Sequence, residues 1–209
     1  MFIKSVFLNF NYFFFQIINQ IRKFYLNSNI YNKKISKIDD GAIIYKPSQS
    51  IFNSLVKFNK KKSNIEDFSL NSIWKNSTNL NNKNFDKLHS FFWLFTLDLK
   101  SSQKVTQNVI HNWIEENDKY NHQIWNLDIL SKRIIAWISN SKLTYENADT
   151  NYKSRFNGLI KKQTNHLINE INRSETLDDK IISSSAIILV GLSYGDSYYL
   201  KFGIDLLKK

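Results

Sequence analysis

Residues able to do acid–base or metal chemistry are few and scattered in this 209-residue chain. The four histidines are His89, His111, His122 and His166, and cysteine is absent. No two of the histidines have the close spacing of zinc ligands on one loop or helix face, so we expect no metal site and no bound cofactor. The absence of cysteine excludes disulfides and thiolate catalysis, but it does not identify the cellular compartment.

The acidic residues indicate no hydrolytic pair. Glycoside hydrolysis needs two carboxylates that flank the scissile bond. Asp118 with Asp128, and Glu115 with Glu116, are the pairs that the sequence offers. Each pair lies near the end of a predicted helix, where solvated acids are usually structural, and we interpret them so.

The net charge of +11 suits a partner that is a polyanion. Lysine supplies most of this charge, and the chain is also rich in Asn, Ile, Phe and Tyr. This joint bias indicates an AT-rich genome more than a dedicated basic patch. We do not expect nucleic-acid binding, because no known motif is present and the aromatic residues follow apolar stripes instead of alternating with basic residues.

The first 26 residues are predicted to form an amphipathic helix. Lys4 precedes an apolar stretch, as in a signal peptide, but Asn9 and Asn11 interrupt it and no small-residue cleavage site follows. The stretch is too short and too polar for a membrane span. We predict packing on the protein body in preference to contact of residues 1–20 with a membrane surface. Both a cytoplasmic and a periplasmic location stay open.

Loop-forming residues dominate 27–83, whereas helical spacing dominates 84–209. Asp39, Asp40, Gly41 and Pro47 predict an irregular segment with one or two short strands near residues 40–75. Beyond it, apolar residues recur at intervals of three and four. Asn84 is predicted to cap a helix that runs to Leu99. Further helices are predicted over 105–116, 127–138, 156–171 and 177–192, and after a cap at Asp196.

Short polar connections between these helices predict antiparallel neighbours. An all-α protein of this kind is either an α-solenoid or a closed α/α-toroid. No fixed repeat length is visible in the sequence, which weakens the solenoid alternative.

Three segments resemble the bacterial heparinase II/III-like polysaccharide lyases. The family pattern pairs Leu with His and Trp with Leu, places Trp residues before an Arg-Leu-Leu-Ala-Trp core, and continues with Gln-x-x-His-Leu. The matching positions here are Trp74, Leu88, His89, Trp93, Leu94, Asp98, Leu99, Trp113, Trp125, Arg133, Ile134, Ile135, Ala136, Trp137, Gln163, His166 and Leu167.

This resemblance implies that the chain is mainly all-α and forms the N-terminal, incomplete part of an α/α-toroid, with 84–209 as a partial domain. It also implies a parent lyase that cleaves uronic-acid-containing polysaccharide by β-elimination. The family's catalytic residues lie in later segments, so we assign no catalytic residue and expect this chain alone to be inactive. The alternative is a non-catalytic helical module that binds an acidic glycan or a protein partner.

The candidate substrate-binding residues are Trp125, Arg133, Trp137 and His89. Indole rings stack on sugar faces, and a guanidinium can bind a carboxylate or sulfate through two hydrogen bonds. The partner implied for the whole protein is an acidic polysaccharide. For each of the four residues, a place in the hydrophobic core is the structural alternative.

Overall fold

The computed structural model describes residues 2–37, 41–46, 74, 80, 82–97 and 102–208, with the backbone alone for residues 2–12. The described elements are helices, which confirms the mainly all-α class. They are α1 (Phe2–Leu26), α2 (Asn29–Ile35), α3 (Asn82–His89), α4 (Gln103–Asn117), α5 (Leu127–Ser139), α6 (Ser141–Thr144), α7 (Thr150–Glu170), α8 (Leu177–Tyr194) and α9 (Ser197–Leu207), with 3₁₀ turns at Phe92–Thr96 and Ile171–Arg173.

Capping residues fix where several helices begin. Side-chain oxygens of Ser102, Asn126 and Asp149 accept hydrogen bonds from backbone N–H groups in the first turns of α4, α5 and α7. Asp196 accepts two such bonds at the start of α9, so the predicted cap is confirmed. Each capping oxygen accepts a hydrogen bond from an N–H group that has no partner within the helix. Gly195 ends α8 in the left-handed conformation, with φ of 66°.

Helix α8 organises the C-terminal half by packing against both α5 and α9. Glycine permits the close approach of α8 to α9. A Cβ atom at Gly191 would lie 2.5 Å from the backbone nitrogen of Leu200, and one at Gly203 would lie 2.6 Å from Cγ1 of Ile188. Helix α7 contacts α8, α5 and α4, and it also carries α2 on its surface.

The predicted helix from Asn84 to Leu99 is wrong in both its start and its length. Helix α3 begins at Asn82 and ends at His89, and the chain then turns through Phe91, whose φ is 55°. The turn inserts the fully buried ring of Phe91 between other aromatic residues of the core. The backbone oxygen of Leu88 accepts hydrogen bonds from the Trp93 indole N–H at 3.2 Å and from the Phe91 backbone N–H at 3.4 Å, and both bonds hold the turn.

The described part of the segment predicted to be irregular contains helix α2, which the sequence did not indicate, and the first residues of α3. Residues 41–46 are neither helix nor strand, and the backbone N–H groups of Ile44 and Tyr45 donate to the backbone oxygen of Ser193. Most of the predicted strand region near 40–75 lies outside the described residues. The predicted connection at 140–149 contains the short helix α6.

Helix α1 is long, but its described side chains lie mostly in solvent. Phe13, Phe14 and Ile21 are each more than half exposed, so this part of the helix does not pack on the body as predicted. No helix in the described part of the chain is long and apolar enough to cross a membrane.

Candidate functional site

The four candidate substrate-binding residues lie in the core of the described chain. The exposed fraction is 1% for Trp125, 0% for Arg133 and Trp137, and 2% for His89. Their side chains therefore contact the protein interior in this chain, as in the structural alternative that the sequence left open.

Arg133 is the centre of this buried cluster. Its Nε donates to Oε1 of Gln163 at 3.2 Å, and its Nη1 donates to the backbone oxygen of His89 at 2.9 Å. Both terminal nitrogens donate to the backbone oxygen of Ile124 at 3.1 Å, and Cζ lies 4.3 Å from the ring centroid of Trp113. Burial lowers the pKa of the guanidinium to about 9, so it stays charged at neutral pH. The carbonyl oxygens and the indole face stabilise that charge.

His89 is held in the same cluster as a neutral imidazole. The Trp113 indole N–H donates to Nδ1 of His89 at 3.0 Å, so this nitrogen acts as the acceptor. Burial, together with the nearby charge of Arg133, lowers the pKa of His89 to about 4. The ring centroids of Phe85 and Trp74 lie 4.3 Å and 5.8 Å from the centroid of the imidazole. The imidazole therefore has no access to a substrate in this arrangement.

A second buried imidazole, His166, joins α2 to α7. Its Nδ1 and the hydroxyl of Tyr31 share a hydrogen bond of 2.7 Å. The rings of Trp125 and Tyr120 each lie 5.3 Å from it. Burial lowers the pKa of His166 to about 3, although a hydrogen bond with the Trp125 backbone acts to raise it. The imidazole is therefore neutral.

The positions that support the family resemblance meet in this part of the core. Arg133 links the chain segment of His89 to that of Gln163. Trp137 packs edge-on against Trp113 with ring centroids 5.6 Å apart. These residues come from four different helices, α3, α4, α5 and α7. At its described positions the pattern therefore specifies how the helices pack together, and its two histidines, His89 and His166, are buried.

A surface groove with a different chemistry lies where the first two turns of α4 face the start of α7. We call it the amide groove, and its volume is about 520 Å³. Its lining residues are Gln103, Lys104, Gln107, Asn108, His111, Asn147, Ala148, Asp149, Asn151 and Tyr152.

The walls of the amide groove are held by hydrogen bonds of its own glutamines. The side-chain amide of Gln107 donates to the backbone oxygen of Glu146 at 2.8 Å, and that of Gln103 donates to the backbone oxygen of Lys142. The exposed residues Lys104, Asn108 and Asn151 leave ammonium and amide groups at the rim. Amides both donate and accept hydrogen bonds, as recognition of sugar hydroxyls requires.

A second groove, which we call the acidic groove, lies between α3 and the start of α5. Its volume is about 440 Å³, and its lining includes Asp86, His122 and Asp128. Asp128 pairs with Lys132, which leaves Asp86, within the described ranges, as the unpaired carboxylate of the acidic groove, whereas the amide groove carries Lys104 beside Asp149. An anionic ligand therefore meets less repulsion in the amide groove. Among the described residues, no group of three His, Asp or Glu side chains is placed to hold a metal ion.

Sequence reasoning missed the amide groove because its residues come from two distant segments. The density of Asn and Gln in 103–108 and 147–151 was the available signal. Comparison of the chain with protein-family models, with curated proteins and with solved structures finds no match.

Proposed function

We propose that this chain is the leading helical part of a heparinase II/III-like polysaccharide lyase, and that it binds a uronate-containing polysaccharide without cleaving it. In this proposal the helices belong to an α/α-toroid. The groups that carry out β-elimination lie outside the chain.

The observation that supports this proposal most is the convergence of the family-like residues on Arg133. His89, Trp113 and Gln163 are far apart in the sequence, yet each contacts the same guanidinium. Residues of the family pattern that contact one another in the core are those expected of a helical scaffold shared with that family. This is why we assign Trp125, Arg133, Trp137 and His89 to the support of the fold and not to the substrate surface.

The amide groove supplies the glycan-binding part of the proposal. A uronate unit offers hydroxyl groups and one carboxylate. Amide side chains at the rim match the hydroxyls, and the ammonium of Lys104 matches the carboxylate. The Asp149 carboxylate accepts a hydrogen bond from the Tyr152 backbone N–H at 2.8 Å, which ties it to the cap of α7.

β-Elimination needs a base for the proton beside the uronate carboxylate and an acid for the leaving oxygen. His89 and His166 are buried and line neither described groove, whereas His111 lines the amide groove, where its Nε2 lies 3.4 Å from Oε1 of Glu115. We assign the role of this chain as binding and support because the family resemblance places the catalytic residues in later segments.

Equilibrium binding of polygalacturonate to the full chain tests the proposal. Lys104→Ala with Asn108→Ala and Asn151→Ala should weaken binding about tenfold, since each contact with an exposed polar group contributes roughly 0.2–1 kcal/mol. The matched control, Lys201→Ala, removes one exposed charge outside the groove and should change binding less than about twofold.

Two outcomes would overturn the proposal. One is equal loss of binding from the Lys201 and the Lys104 variants, which indicates general charge attraction. The other is an ultraviolet-absorbing unsaturated uronate product released by this chain alone, which places the chemistry within it.

A further inference from the structure

The most apolar exposed surface in the described chain is one face of α1. Phe13, Ile17, Ile21 and Phe24 follow one another at intervals of four, four and three residues, and their exposed fractions are 63%, 40%, 63% and 83%. At 3.6 residues per turn, these positions and the neighbouring Phe14, Ile18 and Tyr25 occupy less than half of the helix circumference. Phe15, which is 62% exposed, lies just beyond this arc. Gln16, Gln20 and Lys23 fall on the other side.

The C-terminal end of helix α1 is fixed to the body. Leu26 is buried, and the Arg22 guanidinium forms an ion pair with Glu170 of α7. The Tyr25 ring lies edge-on to Tyr31 of α2, with centroids 5.2 Å apart. These contacts hold the last two turns and leave the apolar face of the preceding turns in solvent.

The segment that carries this face has basic residues and no acidic ones, and its Arg22 pairs with Glu170 of α7. The first 38 residues contain six basic residues and no Asp or Glu; the basic residues are Lys4, Arg22, Lys23, Lys33, Lys34 and Lys37. Lys33 and Lys34 lie exposed in the last turn of α2, which packs beside α1. A segment with an apolar helix face and only positive charge matches a surface that is both apolar and anionic.

We propose that α1 lies in the headgroup–acyl boundary of an anionic lipid bilayer and attaches the helical body to that surface. No described helix can cross a membrane, so α1 lies parallel to the bilayer plane. Phe13, Phe14, Ile17 and Ile21 enter the acyl boundary, while the basic residues attract the anionic headgroups. Charge complementarity selects this partner over a second copy of the chain, because two copies would bring two positive segments together.

Co-sedimentation of the full chain with vesicles tests this proposal. Vesicles of phosphatidylcholine with phosphatidylglycerol should bind the chain, and vesicles of phosphatidylcholine alone should bind it at least about tenfold more weakly, because several lysines contribute near an anionic surface. Phe14→Gln with Ile21→Gln should lower binding to the anionic vesicles by about tenfold or more, since each loses the insertion of one large apolar side chain.

The matched control is Leu177→Gln with Leu207→Gln, which removes two exposed apolar side chains outside α1. This control should sediment with vesicles as the unchanged chain does, and Lys33→Gln with Lys34→Gln should reduce the preference for anionic lipid. Polygalacturonate binding by the Phe14/Ile21 variant should stay unchanged, which separates this proposal from the glycan-binding one.

Three results would overturn the proposal. The first is equal binding to neutral and anionic vesicles. The second is equal loss of binding in the α1 variant and the Leu177/Leu207 control. The third is a concentration-dependent dimer that the Phe14/Ile21 substitutions abolish while vesicle binding persists, which would assign the face to a second copy.

Discussion

Two neutral imidazoles in the core should make the fold sensitive to mild acid. The pKa values of His89 and His166 are lowered by burial to about 4 and about 3. His89 faces the guanidinium of Arg133, and His166 faces the hydroxyl group of Tyr31 and the ring of Tyr120, with Arg22 and Arg133 nearby. In the unfolded chain both imidazoles should have a pKa of roughly 6.5.

The sign of the effect follows from which state binds protons first. Between about pH 6.5 and the folded pKa, the unfolded chain is protonated and the folded chain is not, so stability falls as the pH falls. Lowering the pH from 7 to 5 should remove about 2 kcal/mol of unfolding free energy for each imidazole, and about 4 kcal/mol for both. That is a large share of the roughly 5–15 kcal/mol that stabilises a typical domain.

Urea unfolding followed by tryptophan fluorescence at pH 7 and pH 5 measures this difference. His89→Gln and His166→Gln should each reduce the pH-dependent loss by about 2 kcal/mol. Comparing the two pH values within each variant cancels any general destabilisation by the substitution. His122→Gln, which removes an exposed imidazole, should keep the full loss. A loss below about 1 kcal/mol in the unchanged chain, or an undiminished loss in both core variants, would refute the reasoning.

Four substitutions test the helix packing by thermal or urea unfolding. Gly191→Ala should destabilise the fold by about 1–3 kcal/mol, because its Cβ would meet the Leu200 backbone at 2.5 Å. The control Gly158→Ala, whose Cβ would meet nothing within 4 Å, should be neutral or stabilise by up to about 1 kcal/mol. Equal effects of the two substitutions would contradict this packing. Asp196→Ala should cost about 1 kcal/mol by removing the cap of α9, and an unchanged stability would count against the cap. Trp137→Ala should cost about 3–5 kcal/mol, and a cost below about 1 kcal/mol would show that the indole is not part of a close-packed core.

Periodicity in the sequence predicted most of the helices because the hydrophobic positions follow the core contacts directly. Helices α4, α5, α8 and α9 and the cap at Asp196 lie where the spacing of apolar residues placed them, whereas α7 begins at Thr150, ahead of the predicted start at residue 156, and α6 was not predicted. The break at Phe91 was missed because Phe92, Trp93, Leu94 and Phe95 continue the apolar run beyond it. The turn depends on tertiary packing, since the Phe91 ring centroid lies 5.2 Å from that of Trp137 and 5.7 Å from that of Trp113.

The roles of Arg133 and the amide groove could not be predicted from residue types. An arginine beside tryptophans occurs both at glycan-binding surfaces and in protein cores. The carbonyl oxygens of His89 and Ile124 that accept hydrogen bonds from Arg133 place it in the core, and they are not visible in the sequence. The amide groove depends on α4 lying against the start of α7, which is a tertiary contact. The exposed face of α1 was likewise interpreted as core, because an apolar helix face has the same pattern whether it packs on protein or on lipid.

The central claim, that this chain binds uronate polymer at the amide groove, is tested most directly by titrating the isotope-labelled chain with a galacturonate oligomer. Nuclear magnetic resonance would follow the side-chain amide signals. The account predicts shifts of the signals of Asn108, Asn147 and Asn151, with little change at Asn126 of the acidic groove. Shifts confined to Asn126, or no shift in any of these amides at saturating oligomer, would contradict it.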